Sequence, residues 1–136
     1  MEFVQNNLLL VVAAAASGIM LLWSFFGRRV SGINEVNTTE ATRLMNDEAL
    51  LLDVREDNEW AVGRLPNAMH IRLGELSKRV SELEKYKDKP IVVYCRSGHR
   101  SARACALLKR SGFSNPNNLA GGIVAWEQAN LPITRK

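Results

Sequence analysis

Cysteine is scarce in this chain: Cys95 and Cys105 are the only two, and no Cys-x-x-Cys pair occurs. A disulfide framework and a cysteine-built metal centre are therefore not expected, and two thiols suit a reducing compartment. Histidine is equally rare, at His70 and His99. Internal repeats and low-complexity blocks are missing as well. The chain also lacks a one-signed charge surface, because 18 basic and 14 acidic residues leave a formal net charge of only +4. Lys78, Arg79, Glu82 and Lys85 mix both signs on what reads as a solvated helix face, so no nucleic-acid partner is expected.

Residues 8–26 form an apolar-leaning run of 19 residues without a charge. At ~1.5 Å per residue a helix of that length spans roughly 28 Å, the thickness of a bilayer core. The expectation is one transmembrane helix within an anchor at 1–27. Ala14-Ala15-Ala16 resembles a signal-peptide cleavage site, but no basic segment precedes it and the apolar run continues beyond it. Arg28 and Arg29 follow the run, and the positive-inside rule then leaves the N-terminus outside. The expected location is the cytoplasmic membrane of a bacterium, single-pass, with the C-terminal domain in the cytoplasm. Ala13, Ala14, Ser17 and Gly18 form a small-residue face on which a partner helix or a second copy could pack. Residues 28–37 read as a short basic tether, and 38–136 as a globular domain.

Within that domain strands alternate with helices. Thr38 or Thr39 can cap a helix through about Asn46. Leu50, Leu51 and Leu52 run into Asp53, Val54 and Arg55, as a buried parallel strand does at a sheet's edge. Turn chemistry at 63–68 precedes a short strand at 69–71, and Leu76, Val80 and Leu83 mark an amphipathic helix. Residues 91–94 are β-branched and aromatic, and a helical pattern follows from Ala102. Ser111-Gly112 closes that helix, a brief strand falls near 118–120, and residues 123–129 form a last helix with Trp126 facing the core. The expected fold class is α/β, a mainly parallel sheet flanked by helices.

Between the strand at 91–94 and the helix after it lies Cys95-Arg96-Ser97-Gly98-His99-Arg100-Ser101. A strand-loop-helix unit aims loop amides and the positive end of a helix dipole at whatever occupies the loop, here a sulfur. Gly98 permits a positive φ that curls those amides inward, and two arginines add charge. Such surroundings favour thiolate, the nucleophilic form.

These residues resemble a known family. Residues 51–56 (Leu-Leu-Asp-Val-Arg-Glu) with Glu59-Trp60, the turn at 63–68, the Cys95 loop, and Ala120-Gly121-Gly122 with Trp126 and Pro132 are similar, in order, to a single-domain rhodanese over about residues 33–134. The resemblance implies a rhodanese-like parallel sheet and a cysteine that carries sulfane sulfur as a persulfide. It implies no cofactor. In the turn Arg64, Leu65 and Asn67 replace the family's usual His, Ile and Gly, and Asn130 stands where glycine is frequent. Asn tolerates the left-handed region, and neither change touches the sulfur loop.

On that basis Cys95 is the expected nucleophile, and a small anionic donor such as thiosulfate and a thiol or cyanide acceptor are its expected partners. Arg96 and Arg100 would hold the anion, with Ser97, Gly98 and His99 completing the pocket. Ser101 is expected to cap the following helix, and Asp53 and Arg55 to brace the strand end. A phosphatase or arsenate-reductase loop places Arg five residues beyond the cysteine's next neighbour; here that position is Ser101 and Arg100 comes one early, which disfavours phosphate. The non-enzymatic alternative is a membrane-held docking module.

Overall fold

The computed structural model describes residues 7–30 and 33–135, with backbone alone for 24–30. The chain divides into two compact units, 1–32 and 33–136.

The first unit holds helix α1, Leu8–Val30. Among the described residues no helix is long and apolar enough to cross a membrane. This overturns the transmembrane helix expected over 8–26, and with it the single-pass placement and orientation drawn from it. The middle of α1 is a run of small residues, Ala13 to Gly18, less apolar than the leucines on either side of it.

The second unit is a five-stranded sheet between helices. Its strands are β1 (Asn34–Val36), β2 (Leu50–Asp53), β3 (Met69–His70), β4 (Pro90–Tyr94) and β5 (Asn115–Leu119), in spatial order β1-β5-β4-β2-β3. Every pairing is parallel. Helices α2 (Thr38–Asn46), α3 (Asp57–Val62), α4 (Leu73–Arg79), α5 (His99–Arg110) and α6 (Gly122–Gln128) connect them, and a 3₁₀ segment at Val80–Tyr86 extends α4.

Alternation along the strands sorts side chains to two faces. Leu50, Leu52, Ile91, Val93 and Cys95 pack with Leu76, Leu83, Ala104, Cys105 and Leu108 from α4, the 3₁₀ segment and α5. Leu51, Val92, Tyr94 and Leu119 pack with Ala41, Ile123 and Trp126 from α2 and α6. Burial of each large side chain contributes about 1.5–3 kcal/mol, so both faces must be covered for the sheet to persist. Trp126 faces this core as expected, and its indole Nε1 donates to the Pro132 carbonyl at 2.8 Å.

Three local differences from the sequence reading have physical causes. Residues 34–36, assigned to a tether, form β1 by pairing with 117–119 of β5. Asn37, not Thr38 or Thr39, caps α2, its Oδ1 accepting from the Glu40 amide at 2.8 Å. Strand β5 starts at Asn115 although its sequence is Asn-Pro-Asn-Asn-Leu. Buried Asn117 satisfies itself there by donating to the carbonyls of Ile91 (3.2 Å) and Asn115 (3.0 Å). Asn67 takes φ 63°, as the turn requires, and Asn130 φ 59°.

Candidate active site

Strand β4 ends at Tyr94, and the next residue, Cys95, is only 1 % exposed. The chain then turns through Arg96, Ser97 and Gly98 into α5. Gly98 is the N-cap of α5 at φ 107°, a conformation that side chains rarely adopt. The turn brings its amide back toward the sulfur, to which it donates at 3.1 Å. The Ser101 hydroxyl lies 3.4 Å from the same Sγ. Burial alone would push the Cys95 thiol up. Hydrogen bonds from the Ser101 hydroxyl and from the amides of Ser101, Gly98 and Ser97 outweigh it, and the thiol ends below its ordinary range.

The loop is held from below by α6. The amides of Ile123 and Val124 donate to the carbonyls of Cys95 (2.9 Å) and Arg96 (3.2 Å). This approach leaves no room at Gly122: a Cβ there would sit 2.4 Å from the Cys95 oxygen and 2.5 Å from that of Arg96. Gly121-Gly122 is therefore what allows a helix N-terminus to reach the back of the sulfur loop.

Asn118, on β5, braces the loop from the side. Its Nδ2 donates to the Gly98 carbonyl at 3.1 Å, which turns Oδ1 toward Ser101 to accept from that hydroxyl at 2.6 Å. A hydroxyl has one proton, so Ser101 donates to Asn118 or to sulfur, and negative charge on the sulfur draws it there. Ser101 is not the helix cap that was expected. It is the third residue of α5, fully buried, with Gly98 in the cap position.

Arg96, Ser97 and His99 are exposed around the sulfur loop. Arg100 is not open in the same way: its Nη1 and Nη2 donate to Glu59 Oε1 (2.6 Å) and Oε2 (2.9 Å). The Arg100 guanidinium holds the Glu59 carboxyl down to about 2. Glu59 is fixed in turn by α3, where Glu56 and Glu59 form a capping box.

Asp53 and Arg55 are both buried and bind each other. Arg55 Nη2 lies 2.8 Å from Asp53 Oδ2 and donates also to the Gly63 carbonyl at 2.6 Å, tying the end of β2 to the turn after α3. His70 contacts the Arg55 carbonyl at 2.6 Å and stacks on Trp60 with ring centres 4.7 Å apart. Glu59, noted only as part of a motif, and Asn118 are site-forming residues to which sequence reasoning gave no role in the site. Glu59 sits in an acidic stretch that reads as solvated. Asn118 sits in a strand whose polarity conceals it.

Residues 37–129 match the family model described as "Rhodanese-like domain". A protein named "Sulfurtransferase" from Allochromatium vinosum is 39% identical over 103 residues, covering 74% of this chain and 94% of its own. "Putative sulfurtransferase YtwF" from Bacillus subtilis is 40% identical over 102 residues, covering 74% and 96%. Among solved structures, a rhodanese-related protein from Thermoplasma volcanium superposes with a TM-score of 0.68 at 29% identity, covering 76% of this chain and 99% of that one.

Proposed function

The chain belongs to the rhodanese-like domain family and is a sulfurtransferase-type enzyme, and from that premise we propose that Cys95 carries the transferred sulfur as a persulfide. The observation that carries this is the Sγ environment: a buried sulfur that accepts the Gly98 amide and faces the Ser101 hydroxyl. Those donors stabilise negative charge on the thiolate and equally on the terminal sulfur of a persulfide.

In the first half-reaction the Cys95 thiolate attacks the outer sulfur of a sulfane donor such as thiosulfate. A new S–S bond forms, the donor's S–S bond breaks, and its electron pair leaves on sulfite. In the second, an acceptor thiolate or cyanide attacks the outer sulfur of the persulfide. The product is the acceptor's own persulfide, or thiocyanate, and the Cys95 thiolate returns. Arg96, exposed at the loop's rim, is the cation that meets an incoming anion, whereas Arg100 is engaged by the Glu59 carboxylate. His99 stands exposed at the start of α5, next to that entrance.

Steady-state turnover tests this. With thiosulfate and cyanide varied together, ping-pong kinetics and loss of turnover in Cys95→Ala support the proposal. Full turnover by a folded Cys95→Ala chain would refute it.

A further inference from the structure

Of the two arginines in the sulfur loop, Arg100 is already engaged. Its terminal fork lies against the two oxygens of Glu59, with one side chain a third exposed and the other a quarter. Both groups stay charged across the working range, because the carboxyl is held down to about 2 while hydrogen bonding to Glu59 raises the guanidinium further. Arg100 is also close enough to Cys95 to feel the charge of its thiolate.

The Glu59 carboxylate is not a loose surface tip. Its Oε1 also accepts from the Glu56 amide at 3.1 Å, so it closes the first turn of α3. A substrate anion that sought the Arg100 fork would have to displace a carboxylate anchored by a helix start. It would also approach two fixed negative charges, Glu59 and the Cys95 thiolate, with Arg100 already neutralised by the first.

We propose that Glu59, by occupying Arg100, sets donor specificity: the site favours sulfane-sulfur donors carrying a single negative charge over dianions such as thiosulfate. Glu59 acts through Arg100 and does not touch the donor. The inference rests on the sulfurtransferase reading of Cys95 and goes beyond it by naming the charge class of the donor.

Two donors isolate the charge. Thiosulfate is a dianion that leaves as sulfite; methanethiosulfonate is a monoanion that leaves as methanesulfinate. Each gives its terminal sulfur to the Cys95 thiolate by the same exchange of one S–S bond for another. The readout is the ratio of kcat/KM for thiosulfate to that for methanethiosulfonate, measured on the full chain with one acceptor.

Glu59→Gln removes the charge and keeps an amide oxygen for the Glu56 amide, since glutamine also serves in a capping box. The ratio is expected to rise about tenfold, chiefly through the KM for thiosulfate, and the gain should shrink as salt screens it. Arg100→Gln leaves Glu59 uncompensated and is expected to lower the ratio. The double variant should return near the parent, because the two substitutions act through one pair. Ratios unchanged within about twofold in both folded single variants would overturn the proposal and leave the pair a structural clamp. If neither donor loads Cys95 in any of these proteins, the sulfurtransferase reading itself falls, which is a separate result.

Discussion

Cys95 and Cys105 share one apolar cluster and are equally hidden from solvent, yet their chemistry diverges. Cys105 lies inside α5, where amides are consumed by the helix ladder and none is left to face its sulfur. Burial pushes its thiol up to about 12, with the charge of Cys95 adding to the shift. Cys95 lies just before the same helix, where Gly98 and Ser101 direct free donors at it, and its thiol moves down. Burial alone makes a cysteine inert. Burial beneath a helix N-terminus makes it a nucleophile.

The largest expected effect is the contrast in reactivity. At pH 7 a thiol at about 12 holds ~10⁻⁵ thiolate, whereas one below 9.0 holds more than ~10⁻², so iodoacetamide should label Cys95 at least ~10³ times faster than Cys105. Peptide mapping after timed alkylation reads the ratio, and comparable rates at the two cysteines would break the comparison.

Gly122→Ala attacks the support behind Cys95 and leaves Cys105 untouched. The added methyl would overlap the Cys95 and Arg96 carbonyls, so a loss of about 2–4 kcal/mol, or a displaced loop with slowed Cys95 labelling, is expected in thermal unfolding and alkylation. Unaltered stability together with unaltered labelling would mean that α6 does not brace the loop.

Ser101→Ala removes one donor from the sulfur and leaves the buried Asn118 oxygen without its partner. The midpoint of the Cys95 alkylation-pH profile should rise, and stability should fall by about 1–3 kcal/mol. The Cys105 profile should not move.

The last difference between the two cysteines lies at alkaline pH. Above about 9 the unfolded chain releases the Cys105 proton while the folded chain keeps it up to about 12, so the unfolded state binds fewer protons and stability falls as pH rises. The slope from this group approaches 1.4 kcal/mol per pH unit between those limits, and Cys105→Ala should flatten it. Cys95 acts in the opposite sense, since its depressed pKa contributes stability that is lost as pH falls through the folded value.

What the sequence reveals follows from how local each cause is. The Cys95 loop is legible because Gly98, its positive φ and the sulfur are within three residues of one another. The buried run at 50–53 announces β2 by composition alone. Strand β5 does not, because its asparagines are satisfied by neighbours distant in sequence, such as the Ile91 carbonyl. Glu59 meets Arg100 across 41 residues, and Asn118 meets Ser101 across 17, so neither partnership leaves a local pattern. The helical form of residues 8–23 follows from their unbroken apolar and small residues, but no helix among the described residues is long and apolar enough to cross a membrane.

The central claim, that Cys95 alone among the two cysteines carries the transferred sulfur, is tested most directly by intact mass of the full chain after incubation with a sulfane donor, followed by peptide mapping. The account predicts a gain of one sulfur atom, located on Cys95, retained in Cys105→Ala and absent from Cys95→Ala. Sulfur found on Cys105, or a gain that survives Cys95→Ala, would contradict it.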